Sequence, residues 1–189
     1  METLHTVVNP PSMRPCALFL ALIVTATLHA ASEPNWSRLE NCQLIQNEWN
    51  DGDSFHVKTP DGKEFIFRLY FVDAPETDAR FPDRVTEQAS ALGISSEQAL
   101  ALGMNAKEFT AQKLGSGSFT VWTCCQDAMG SSKLPRWYAM IETKRGWLDQ
   151  LVVKNGMARI YGKRITVPDG SDSRAYLDKL EKLKTSAKQ

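Results

Sequence analysis

Ser54-Phe55-His56-Val57-Lys58-Thr59-Pro60-Asp61-Gly62-Lys63-Glu64-Phe65-Ile66-Phe67-Arg68-Leu69-Tyr70-Phe71-Val72 is the stretch that decides the fold. Pro60-Asp61-Gly62-Lys63 is a hairpin signal in which glycine supplies the turn conformation, so Ser54 to Thr59 and Glu64 to Val72 read as paired strands. In the second strand Phe65, Phe67, Leu69 and Phe71 alternate with Ile66, Arg68, Tyr70 and Val72. One face is therefore wholly apolar, and Arg68 stands on the other among apolar neighbours. An arginine in that setting is either a site residue or a snorkelling surface cation.

Working outward, Cys42 to Trp49 reads as a strand preceding the hairpin. Thr77 to Ile94, charged and containing Pro82, reads as a loop running into a short helical turn. Ser95-Ser96-Glu97-Gln98 has the pattern of a capping box. The helix behind it runs to about Leu114 with Ala99, Leu102, Ala106 and Phe109 on one face, and Gly115-Ser116-Gly117 stops it. Phe119 to Cys125 and Trp137 to Glu142 are further strands, Trp147 to Asn155 a short helix, Ala158 to Tyr161 a strand fragment, and Ser171 to Lys184 a last helix. Short strands with a helix inserted after the third predict an α+β fold: a five-stranded Greek-key barrel of the OB type with about three helices.

The first thirty residues differ in character. Ala17 to Leu28 is an uncharged, mostly apolar run behind Arg14, followed by Leu28-His29-Ala30-Ala31. A membrane span needs roughly 20 apolar residues. The shorter run reads as a secretory signal over residues 1–30, starting at Met1 or at Met13, with no stable membrane anchor after cleavage. Residues 31–41 read as a polar lead-in and 42–189 as one domain, expected to be a secreted or periplasmic monomer. Formal charge is +0, but Asp127 to Arg164 is basic and Glu40 to Glu97 acidic, a division that suits a polyanion partner as well as ordinary solvated surface. Cys42, Cys124 and Cys125 follow the signal. In an oxidising compartment Cys42 is expected to bond to Cys124 or Cys125. No second cysteine pair or nearby histidine completes a zinc site.

Chemistry concentrates between Asp51 and Glu76: Asp51-Gly52-Asp53-Ser54, Phe67-Arg68-Leu69 and Val72-Asp73-Ala74-Pro75-Glu76. An EF-hand loop fails here, because Phe55 and His56 occupy its fifth and sixth positions. Asp53 and Asp73 are better read as acids from two strands, an oxygen-rich pair that favours a hard cation. Asp51 reads as a turn residue and His56 as a structural histidine. Together with Lys133-Leu134-Pro135-Arg136 and Asn155-Gly156-Met157-Ala158, these motifs resemble the thermonuclease family, typified by staphylococcal nuclease, in element order across nearly all of Cys42 to Leu183.

The resemblance implies a Ca²⁺-dependent nuclease that hydrolyses DNA and RNA phosphodiesters to 3′-phosphate products. It implies that Asp53, Asp73 and the Ala74 carbonyl hold Ca²⁺, that Glu76 is the general base, and that Arg68 and Arg136 clamp the phosphate. Lys133 and Tyr161 are expected to touch substrate. Leu134 stands where the family has a pocket tyrosine, and Gly162 where it has a second. The alternative is an OB barrel that binds nucleic acid or another polyanion without cutting it.

Overall fold

A computed structural model describes residues 33–130 and 132–186. The expected signal lies outside the described residues. The strands are β1 (Ser37–Leu44), β2 (Ser54–Lys58), β3 (Glu64–Leu69), β4 (Val72–Asp73), β5 (Phe119–Thr123), β6 (Arg136–Thr143), β7 (Gly146–Trp147) and β8 (Arg159–Ile160). The helices are α1 (Pro82–Leu92), α2 (Ser96–Gly115), α3 (Leu148–Lys154) and α4 (Ser173–Ser186). β1 pairs with β2 and β5, β2 with β3 and β5 with β6, all antiparallel. Parallel pairing of β3 with β6 closes the circle, giving a five-stranded mixed barrel of the OB type with four helices among the described residues.

Phe67 and Leu69 of β3 and Phe71 just past it are buried, as are Val57, Val121, Ala139 and Ile141 from the other strands. Ile66, Tyr70 and Val72 of the alternate set are buried as well, while Phe65 is only partly so. No helix of the described residues is long and apolar enough to cross a membrane.

Three expectations are corrected. The first strand begins five residues early, at Ser37, and ends at Leu44, so the lead-in supplies five of its eight residues and the domain extends before residue 42. A register shift between Leu39 and Cys42, with Asn41 at φ 56, hides that strand from a simple alternation count. The segment from Thr77 contains α1, an 11-residue helix with proline in its first turn and Gly93 in the left-handed conformation at its end. Proline there sacrifices no helical hydrogen bond. Finally, Cys42, Cys124 and Cys125 are all free. Cys42 stands opposite Phe119 across β1 and β5, so Cys124 is five residues further along the strand, about 17 Å away. A disulfide needs Cα atoms within about 7 Å.

The expected strand from Glu64 to Val72 breaks at Phe71, which takes φ 67. That conformation is strained for a phenylalanine, on the order of 1 kcal/mol or more. Phe71 N donates to Lys163 O (2.9 Å), Tyr161 N donates to Phe71 O (2.8 Å), and the ring packs on Tyr176 at 4.9 Å, so the position is fixed from both sides. The break turns β4 out of the barrel to pair with β8. Asp73, at the end of β4, thereby reaches the Arg68 nitrogen that also meets Asp53.

At the other end of the core Asp149 is buried, accepting from the Tyr176 hydroxyl at 2.7 Å on Oδ2 while Oδ1 has no partner. Burial pushes its pKa up to about 6, against the opposing effect of the Tyr176 hydrogen bond. A carboxyl whose pKa is higher folded than unfolded stabilises most when protonated, below about pH 4, and that contribution disappears as pH rises through 6. Asp149→Asn is therefore expected to remove roughly 3 kcal/mol of pH-dependent loss between pH 4 and 8, measured by urea unfolding. Parallel stability curves for the two proteins would contradict it.

Candidate active site

Asp51 Oδ1 accepts from the backbone N–H groups of Asp53 (3.0 Å) and Ser54 (2.6 Å), the turn-forming role read from the sequence. This turn delivers Asp53 to the start of β2. Ser54 lies opposite Arg68 in the β2–β3 ladder. One nitrogen of Arg68, Nη2, donates to Asp53 Oδ2 at 3.0 Å and to Asp73 Oδ1 at 2.8 Å. Both carboxylates are 2% exposed while Arg68 keeps 19%, so two buried acids hold a cation that still reaches the cleft.

Barrel closure brings the distant arginine in. The parallel β3–β6 pairing sets Arg136 opposite Ile66, two positions from Arg68. Arg136 donates to Ser54 Oγ (3.1 and 3.3 Å) and to Met129 O (2.8 Å). Burial and the neighbouring Arg68 hold its pKa below the usual arginine value. Asp51, Arg68, Glu76, Arg84 and Arg136 all line one cleft of ≈ 340 Å³. Lys133 and Leu134 line the adjoining cavity of ≈ 530 Å³, which shares Trp49, Asp51 and Arg136 with the first. Tyr161 is exposed, with the Arg159 guanidinium 4.3 Å above its ring. His56 meets Asn50 Oδ1 at 2.8 Å through both its backbone N–H and Nδ1, which is a loop-bracing role.

Three site residues are absent from the sequence reading, and two come from α1. Arg84 donates Nη2 to Asp73 Oδ1 (3.0 Å) and Nε to Glu76 Oε1 (2.6 Å). Gln88, 1% exposed, donates to Asp73 Oδ2 and Ala74 O, each at 3.0 Å, and accepts from Glu76 N at 2.9 Å. Arg159 from β8 reaches Asp73 Oδ2 at 2.9 Å and grips Glu87 with two hydrogen bonds. Burial alone would raise the pKa of Asp73, but Gln88, Arg68, Arg84 and Arg159 outweigh it and hold the carboxyl below its ordinary value. For Asp51, burial and the nearby Asp53 carboxylate act together and push its pKa well up. The i, i+3, i+4 spacing of Arg84, Glu87 and Gln88 is the signal that a helical reading of this segment would have exposed.

The fit of a cation can be judged from these contacts. Asp53 and Asp73 converge on a single cationic point, for which the Arg68 nitrogen stands in. The oxygens that meet it are the two carboxylates, and the Ala74 carbonyl shares Gln88 Nε2 with Asp73. Carboxylate and carbonyl oxygens are the donor chemistry of a hard dication. That chemistry fits, although the Ala74 carbonyl now accepts from Gln88. Among the described residues no group of three or more acidic, histidine or cysteine side chains surrounds one point, so the convergent acids are Asp53 and Asp73 alone.

Helix α2 holds the acid-bearing loops from behind. Its buried face is Ala99, Gly103, Ala106, Thr110 and Leu114, a correction of the expected Ala99, Leu102, Ala106 and Phe109. Small residues are needed because backbone packs directly on it: Thr110 donates to Gly52 O at 2.8 Å. A Cβ on Gly103 would stand 2.1 Å from Glu76 O and 2.6 Å from Pro75 O. No protein-family model matches this chain, and no curated protein sequence matches it.

Gly103→Ala must displace the Pro75–Glu76 backbone and is expected to cost at least ~1–3 kcal/mol. Gly115→Ala, in the same helix with open space around it, is expected to be neutral or to stabilise by up to about 1 kcal/mol. Urea unfolding of the pair checks this; equal effects would show that the close approach to Glu76 is unimportant.

Proposed function

We propose that this protein is a Ca²⁺-dependent nuclease of the thermonuclease type, acting on DNA or RNA phosphodiesters. The observation that carries the reading is the convergence of Arg68, Arg136 and Glu76, from β3, β6 and the loop after β4, on one cleft beside the Asp53–Arg68–Asp73 ion pair. Planar guanidinium groups suit a phosphate that gains charge in the transition state. Asp53, Asp73 and the Ala74 carbonyl would hold the dication. When bound it would supply Lewis-acid stabilisation of the phosphate and orient water.

The protein's own groups divide the remaining work. Arg68, with donors left beyond those on the two acids, would donate to a phosphate oxygen in the cleft, and Arg136 would donate from the adjacent parallel strand. Arg84 holds Glu76 through Oε1, which leaves Oε2 to take a proton from water. Arg68, Arg84, Arg136 and Arg159 gather around Asp51, Asp53, Asp73 and Glu76, and an added dication would make the site more positive toward a polyanion.

One observation favours a second reading, a barrel that binds a polyanion without cutting it. Asp73 already accepts from Arg68, Arg84, Arg159 and Gln88, four donors on its two oxygens.

Single-stranded DNA digestion separates the two. Glu76→Gln is expected to fall by roughly 10²–10⁴ in kcat with its melting temperature nearly unchanged, since Glu76 is partly exposed. Chelation of divalent cations is expected to abolish cutting. Equal rates for the variant and the parent would remove Glu76 from the mechanism, and binding without cutting would favour the second reading.

A further inference from the structure

We propose that Trp49, with Phe81 on the same cleft, is a stacking platform for a nucleobase, and that the cleft accordingly takes single-stranded nucleic acid. This rests on the reading of the arginine cleft as a phosphate site. The described chain exposes three large aromatic side chains: Trp49 at 59%, Phe81 at 57% and Tyr161 at 57%. Scattered exposed apolar residues are ordinary on a protein surface. These are not scattered. Trp49 and Phe81 both line the cleft that holds Arg68 and Arg136, and Tyr161 lies under Arg159, which grips Asp73.

The backbone beneath Trp49 is braced while its ring is left out. Trp49 N donates to Asn47 Oδ1 at 2.9 Å, and Asn50 ties the same turn to Ile45 and His56. A ring held this way loses little freedom on meeting a ligand. Arg80 lies over the ring at 4.4 Å and is itself paired with Asp78. A tryptophan topped by a guanidinium offers two stacked planar surfaces, both of which bases use.

Position completes the case. Trp49 lines the arginine cleft and also the adjoining cavity, whose other lining includes Ile66 and Leu134. A base against Trp49 has apolar surface beside it while its phosphate reaches Arg136, which lines both spaces. Leu134 offers no aromatic face of its own, so stacking falls to Trp49. Bases in a duplex are already stacked on each other and cannot present a face to it, whereas a single strand can.

The test compares a short oligothymidylate with an abasic strand of equal length. Both carry phosphorothioate linkages that resist cutting, are end-labelled, and are titrated by fluorescence anisotropy at fixed ionic strength with Ca²⁺ present. The parent is expected to bind the base-bearing strand roughly five- to a hundredfold more tightly. Trp49→Ala is expected to lose most of that ratio while binding the abasic strand as before, and Trp49→Phe to keep much of it. Because the ring is exposed, the melting temperature of Trp49→Ala should match the parent's. Equal binding of the two strands by the parent, or full discrimination by Trp49→Ala, overturns the proposal. Failure to bind either strand overturns it together with the phosphate-site reading. Failure of the nuclease reading alone would appear differently, as base-dependent binding with Ca²⁺ present while the ordinary phosphodiester strand stays uncut.

Discussion

Arg68 held between Asp53 and Asp73 is the contact on which the rest of the structure depends. Both acids are almost wholly buried, and an unpaired buried charge costs several kcal/mol. Each acid therefore needs its partner, and each reaches it by a different route: Asp53 from the turn that opens β2, Asp73 from the left-handed break at Phe71. The barrel cannot close correctly around β3 without bringing these routes together. A guanidinium also has donors left after satisfying two carboxylates. The same residue can thus serve as an internal counter-ion and as an anion ligand at the cleft surface.

α1 adds a second tier to this arrangement. Arg84, Glu87 and Gln88 lie on one face of it and join Asp73, Ala74, Glu76 and Arg159 into a continuous network. Burying that much polar surface is favourable only when every group is paired, and the network meets that condition around Asp73. It also fixes the Glu76 backbone from two sides, with Gln88 in front and the Gly103 face of α2 behind. The geometry of the acid is thereby set before any ligand arrives.

Much of this was legible in the sequence. The apolar run from Phe65 to Val72 and the Pro60–Lys63 turn give the hairpin. The site residues Asp53, Arg68, Asp73 and Glu76 stand within 24 positions of each other, and closure of a five-stranded barrel is enough to add Arg136. What was not legible has physical causes. The bulge near Asn41 breaks the alternation of β1. The charges of α1 look like a solvated loop: their i, i+3, i+4 spacing puts Arg84, Glu87 and Gln88 on one helical face, but a charged face reads as solvated, and only the fold turns it onto Asp73. Arg159 lies 86 residues from Asp73, and only the pairing of β4 with β8 joins them. The disulfide failed because compartment and cysteine count say nothing about strand register.

The most direct measurement is the chemistry of the cut ends. Purified protein is incubated with a 5′-labelled single-stranded oligonucleotide and Ca²⁺, and the products are treated with a phosphatase that removes terminal 3′-phosphate. Shortened fragments whose mobility changes on phosphatase treatment are the expected result. Fragments ending in 3′-hydroxyl, or an oligonucleotide that stays intact while bound, would contradict the assignment of this cleft to phosphodiester hydrolysis of the thermonuclease type.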